Sequence, residues 1–248
     1  MEEMAGGNAK VRVIQTYRRL YRAGASPSLP VLGGRAMARS LGYPEDVLRA
    51  VDDALWNRFF PCGNPLPYLD VRPGQRILNL GSGVGLDAFF VRQTLSSAAT
   101  VVNLDIAYEA LAAGLRAFGN QPGEAGGVHW VQADGEILPF TEKCFHWVVL
   151  NGVFNVFPEK DRIVRELARV AAPCGRLVVA DLVRNGPLPD ECRNEPEGWV
   201  WCLNGSETCE EIARLMEGAG FLDVRFHEWI CQAEPFWRCV FTARKSPA

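Results

Sequence analysis

From Gln75 onward the chain alternates short apolar runs with amphipathic stretches, and this alternation limits the fold more than any other feature. The runs Arg76–Leu80, Thr100–Leu104, Val128–Val131, Phe145–Leu150 and Arg176–Ala180 read as buried strands. Gly85–Leu95, Tyr108–Phe118 and Lys160–Ala171 read as the helices between them. Strands that are apolar on both faces need helices on both sides, so a βαβα order predicts a doubly wound parallel α/β sheet. Near the end, Cys209–Glu217 reads as helix, stopped by Gly218 or Gly220. Two long strands follow, Leu222–Cys231 and Phe236–Arg244, joined by the turn-like Gln232-Ala233-Glu234-Pro235. This closing hairpin places an antiparallel edge on the sheet.

The first part of the chain has a different rhythm. Residues 8–22 space Val11, Ile14, Tyr17, Leu20 and Tyr21 as one helical face, with a basic outer face. Residues 24–35 read as loop, and Pro44–Trp56 as a second helix. Pro61, Gly63, Pro65 and Pro67 force an irregular segment around Cys62. Residues 1–70 are expected to form an N-terminal helical lid, and residues 71–248 the main domain. A net charge of −3 gives no basic field for nucleic acid. There is no secretory apolar segment and no run long enough to span a bilayer, so a cytoplasmic protein is expected. In that compartment the eight cysteines are expected to be reduced thiols rather than a disulfide framework.

The first strand runs into Gly81-Ser82-Gly83-Val84-Gly85 and then a helix. A glycine turn at a helix start lets backbone N–H groups approach a ligand closely. Asp105, at the end of the second strand, stands where a carboxylate accepts from ribose hydroxyls. The third glycine comes one residue early for a dinucleotide site, and no Walker lysine follows.

This arrangement resembles the class I S-adenosylmethionine-dependent methyltransferases. Asp134 in Gln132-Ala133-Asp134-Gly135 follows the third strand, and Asn151 ends the fourth. Ala171-Ala172-Pro173-Cys174-Gly175-Arg176 stands where the family has a Pro-Gly-Gly turn. One departure is Asn79, where the family usually has an acidic residue. The resemblance implies a Rossmann-like seven-stranded sheet. It also implies S-adenosylmethionine held by Gly81, Ser82, Gly83, Gly85, Asp105, Ile106, Asp134, Gly135, Glu136 and Asn151, with Asp134 on the adenine amino group.

A closer resemblance, to the arsenite methyltransferases, covers most of the chain from Leu41. It rests on Leu41-Gly42-Tyr43-Pro44-Glu45-Asp46, Pro61-Cys62-Gly63-Asn64-Pro65 and Leu80-Gly81-Ser82-Gly83-Val84-Gly85-Leu86-Asp87. Gly135-Glu136-Ile137-Leu138-Pro139, Asn151-Gly152-Val153-Phe154-Asn155 and Trp201-Cys202-Leu203-Asn204-Gly205 add to it. In that family three cysteine thiolates hold trivalent arsenic, a soft centre that suits soft sulfur. The arsenic lone pair then attacks the sulfonium methyl, with no proton to remove. Cys62 and Cys202 carry over as two of these ligands. The third is Cys231, with Cys239 as the competitor. A thiol reductant, glutathione or thioredoxin, is implied as co-reactant. The adjacent cysteine pair that the family often has upstream is missing from Ala23–Ser40, and Gly152 stands where a cysteine usually follows the strand-four asparagine.

Cys144, Cys174, Cys192 and Cys209 read as packing or surface residues, without the C-x2-C spacing of a zinc site. His129, His146 and His227 read as structural. The expected partner is a small-molecule substrate, with no nucleic acid or membrane, and the chain is expected to be a monomer. The alternative acceptors are a small thiol, a selenium compound or a secondary metabolite. A non-catalytic sensor is a third reading.

Overall fold

The computed structural model describes residues 2–23, 33–119, 121–123, 126–195 and 197–247. Residues 24–32 of the expected loop lie outside the described residues, while Gly34 and Arg35 open a helix. The described helices are α1 (Glu2–Ala23), α2 (Gly34–Ser40), α3 (Glu45–Ala50), α4 (Asp53–Trp56) and α5 (Leu86–Phe90). They continue with α6 (Tyr108–Phe118), α7 (Lys160–Val170), α8 (Asp190–Asn194), α9 (Glu197–Val200) and α10 (Cys209–Gly218). The strands are β1 (Arg76–Leu80), β2 (Thr100–Asp105), β3 (Gln121–Gly123), β4 (Gly126–Gln132), β5 (Phe145–Asn151), β6 (Ala171–Arg184), β7 (Phe221–Ala233) and β8 (Phe236–Lys245).

The strands form one sheet in the order β3-β4-β2-β1-β5-β6-β8-β7. Strands β4, β2, β1, β5 and β6 run parallel, and β8 and β7 close the far edge antiparallel. The expected seven strands are all present. Short β3 adds an antiparallel partner at the other edge. The order in which strands are added reverses between β1 and β5, and such a switch point opens a crevice at the carboxyl ends of the strands.

Alternate residues of the buried strands supply two core faces. Ile77, Val101, Trp147, Val149 and Val178 meet Tyr21, Tyr43, Leu48, Trp56 and Phe90 on one side. Leu78, Leu104, Val148 and Leu150 meet Ile163 and Leu167 of α7 and Ile212 and Met216 of α10 on the other. The N-terminal helices therefore share the core of the sheet. Helix α10 begins at a capping box in which Thr208 and Glu211 satisfy each other's backbone N–H groups.

One expected helix divides. Pro44–Trp56 becomes α3 and α4 because Val51 is extended (φ −116°, ψ 139°) and Asp52 caps a new start, accepting from the Ala54 N–H at 2.7 Å. The helix expected over Gly85–Leu95 is present, but its second half, Val91–Leu95, widens to π-type turns. Among the described residues no helix is long and apolar enough to cross a membrane.

Candidate active site

The crevice at the switch point is lined by β1, β2, β4 and β5 at their carboxyl ends and covered by α1. Gly81, Gly83 and Gly85 all have left-handed φ (66°, 54° and 79°), and this is how the chain turns tightly from β1 into α5. Gly81 and Ser82 donate to Leu104 O at 2.8 and 3.0 Å, which locks the turn onto β2.

Asp105 is buried beside this turn. Its Oδ2 accepts from Gly83 N–H at 2.8 Å and its Oδ1 from Ala107 N–H at 2.8 Å. Burial raises its pKa, and the backbone donors pull it back. The carboxylate keeps a lone pair for a further donor. Ser82 Oγ is buried with no partner among the described residues. An unpaired buried hydroxyl, a spare carboxylate and a glycine cradle together fit a nucleoside ligand with hydroxyl groups.

Ile106, Asp134 and Gly135 line the same crevice. Asp134 and Glu136 are both bound by Lys10 of α1, with Lys10 Nζ 2.6 Å from Asp134 Oδ2. Helical periodicity alone does not reveal that this lysine reaches them. Tyr21 of α1 stands over the glycine turn, where a Cβ on Gly83 would meet its hydroxyl at 2.8 Å. Arg18 and Arg22 of α1 hold Glu109 at the start of α6, and against the opposing effect of burial they bring its pKa down to about 2.

Asn151 joins the crevice to the cysteine segment. Its Oδ1 accepts from Cys62 N–H at 2.9 Å and Gly63 N–H at 3.3 Å. Its Nδ2 lies 3.1 Å from Gly63 O, 3.0 Å from Tyr43 Oη and 3.1 Å from Asp87 Oδ2. Tyr43 in turn donates to Asp87 at 2.7 Å. Burial pushes the Asp87 carboxyl up to about 6, against these donors.

The structure brings Cys62 and Cys202 together. Their sulfurs and an Asp181 carboxylate oxygen lie within 4.8 Å of one another. Cys202 is buried, on a left-handed residue (φ 64°) after α9, and its Sγ faces Gly152 O at 3.7 Å. The hydrogen bond with Cys62, burial and the Asp181 charge push the Cys202 thiol well above its ordinary pKa. A Cβ on Gly152 would come 3.3 Å from Cys62 Sγ.

Cys231 does not join the pair. It is exposed on edge strand β7 opposite Trp237, next to the hairpin turn. Cys239 is buried in β8, bonded to His227 O at 3.1 Å, and burial pushes it up to about 12. Asp181 is the member of the cluster that sequence reasoning missed. A carboxylate near the end of a buried strand was the available signal, as it was for Asp105. The tyrosine at α1 position 17 was missed as well. Tyr17 lines the crevice, donates to Val200 O at 3.2 Å and feels the charges of Cys202 and Cys62.

The geometry can be set beside known proteins. A family model described as a methyltransferase domain matches residues 72–220. The arsenite methyltransferase of Halobacterium salinarum is 29% identical over 181 residues, 73% of this chain and 46% of that protein. A ubiquinone/menaquinone biosynthesis C-methyltransferase of Vibrio cholerae is 37% identical over 148 residues, 59% of this chain and 54% of that protein. This chain spans about half the length of these curated relatives. The solved arsenic(III) S-adenosylmethionine methyltransferase of Chlamydomonas reinhardtii superposes with a TM-score of 0.61 at 23% identity, over 89% of this chain and 76% of that one.

Proposed function

The chain belongs to the class I S-adenosylmethionine-dependent methyltransferases, and we propose that its acceptor is trivalent arsenic held by the thiols of Cys62 and Cys202. One observation carries this reading: two thiols from distant segments converge beside the cofactor crevice, one of them buried. Such a pair suits a soft, thiophilic centre. The arsenite methyltransferase among the relatives supports the same substrate class.

Bound in the crevice, S-adenosylmethionine supplies a methyl group activated on a sulfonium sulfur. The residues here have separate tasks. Gly81, Gly83 and Gly85 allow close backbone approach, while Asp105 and Ser82 offer an acceptor and a hydroxyl to the ribose. Ile106, Gly135 and Glu136 shape the adenine end, and Asp134 becomes free for the adenine amino group when Lys10 withdraws. Asn151 fixes the Cys62 backbone relative to the crevice. Holding two reactants in one arrangement is worth roughly 7–11 kcal/mol of barrier. A lone pair on arsenic needs no general base, and no His or carboxylate dyad is required. A cytoplasmic thiol, glutathione or thioredoxin, keeps the pair reduced in this reading.

The test is incubation of the purified protein with arsenite, glutathione and S-adenosylmethionine. Methylated arsenic should form, and Cys62→Ser or Cys202→Ser should abolish it while cofactor binding persists. Normal cofactor binding with no methylarsenical sinks the proposal. The match to a carbon methyltransferase favours a second reading, an acceptor such as a small thiol, selenium compound or secondary metabolite. Full turnover of such an acceptor by both serine variants would select it.

A further inference from the structure

Asp181 lies at the thiol pair, and the methyl transfer gives it no task. It is 1% exposed, on β6, with a carboxylate oxygen within 4.8 Å of both sulfurs. Its Oδ1 accepts from Leu182 N–H at 2.8 Å and from Asn155 Nδ2 at 3.1 Å. Its Oδ2 accepts from Asn155 N–H at 3.1 Å. The Cys202 sulfur stands within 4.8 Å of the carboxylate, with its thiol turned to Gly152 O at 3.7 Å. The three donors to Asp181 are peptide or amide N–H groups that no ligand disturbs. Oδ2 has only one of them and keeps a lone pair for a further donor. Beside it, the fully buried Asn155 Oδ1 has no donor among the described residues.

Resting on the arsenic reading above, we propose that Asp181 sets substrate choice by accepting a hydrogen bond from a hydroxyl that stays on arsenic, so that the site prefers arsenite to methylarsenite. The accounting is simple. Each ligation breaks one S–H and one As–O bond and forms one As–S and one O–H bond. One water leaves, and arsenic stays trivalent. Arsenite has three hydroxyls. Two exchange for Cys62 and Cys202, and the third remains to donate to the open lone pair of Asp181. Methylarsenite has two hydroxyls and spends both. Its methyl then lies against a buried carboxylate and has no hydrogen to offer it, so the open lone pair stays unfilled at a cost. A third thiol could replace only the last hydroxyl of arsenite, and Cys231, the expected third thiol, is exposed on β7. The consequence is an enzyme whose first methyl transfer is strongly favoured over a second.

The test compares dissociation constants for arsenite and methylarsenite with those of dithiothreitol, which sets the intrinsic preference of a dithiol. The wild-type chain should shift that preference about tenfold toward arsenite, and Asp181→Asn should remove the shift while methylarsenite binding changes little. Equal weakening of both ligands would mean a merely structural role and overturn the inference. Independently of any variant, wild-type turnover of arsenite should end at the monomethylated product, and dimethylated arsenic as the main product overturns it. Wild-type binding with the selectivity of dithiothreitol overturns this inference alone. No Cys62-dependent binding of either arsenical removes the arsenic reading and this inference with it.

Discussion

The side-chain oxygen of Asn151 accepts the backbone N–H of Cys62 at 2.9 Å, so the last residue of β5 holds the first thiol in place. Asn151→Ala removes this bond together with the Nδ2 contacts to Gly63 O, Tyr43 and Asp87. Catalytic efficiency should fall ten- to a hundredfold, on the scale of one or two buried hydrogen bonds at about 1–3 kcal/mol. Steady-state kinetics and the alkylation rate of Cys62 would both report it. An unchanged kcat/KM would show that the segment is held by other means.

Cys231 provides a direct contrast with the paired thiols. Because it is exposed on the edge strand, Cys231→Ser should change methyl transfer by less than about twofold, on the scale of a surface substitution. Cys202→Ser should abolish it. A loss with Cys231→Ser comparable to that with Cys202→Ser would mean that the hairpin moves to the site during turnover.

Asp87 makes stability depend on pH. Its carboxyl titrates at about 6 in the fold against an ordinary value of 3.8, because burial disfavours the charge. The folded chain therefore holds this proton more tightly than the unfolded chain. The contribution is fully present below 3.8 and is lost as pH rises through about 6. Its full size is on the order of 2–3 kcal/mol. Asp87→Asn should therefore melt higher than wild type at pH 8, with the difference shrinking toward pH 4. Thermal unfolding across that range measures it, and a difference independent of pH would refute the assignment.

Lys10 holds α1 against Asp134 and Glu136, beside the crevice. Lys10→Ala should speed cofactor entry and release several-fold, since partly exposed ion pairs are worth about 1 kcal/mol or less. The wild-type rates should approach those of the variant as salt rises. Stopped-flow fluorescence would follow both. Salt-insensitive wild-type rates would separate α1 from cofactor exchange.

Gly205 follows the Cys202 loop with almost no room for a side chain. A Cβ there would stand 1.9 Å from Asn155 O and 3.0 Å from Lys160 Nζ. Gly205→Ala must displace backbone and should cost about 1–3 kcal/mol or more. Denaturant unfolding would show it, and a neutral result would mean that the loop relaxes freely.

The crevice half of the candidate site was legible because its signals are local. The glycines of the β1 turn, Asp105 one strand later and Asn151 at the end of β5 are each marked by the element they terminate. The thiol half depends on distant parts of the fold. Cys202 reaches Cys62 through a left-handed residue after two short helices, and no spacing rule encodes that. Cys231 looked well placed in sequence, but β7 is the outermost strand, and its length leaves the residue on the open edge. The break at Val51–Asp52 was missed because apolar spacing continues through it. A single aspartate cap decided the outcome. Lys10 and Tyr17 were read only as parts of an amphipathic helix, since periodicity does not say what a helix covers.

Cys62 precedes β1 and Cys202 follows β6, so most of the sheet lies between the two sulfurs. A ligand bound to both is a reversible cross-link across a very long loop. By the chain-entropy model such a closure contributes about 4–5 kcal/mol for a loop of roughly a hundred residues or more. Unfolding would have to stretch or release it, and the bound chain would melt later than the free one. The reactive pair also forms only once β6 and the loop after it are in place. A partly synthesised chain thus exposes single thiols rather than a chelating site.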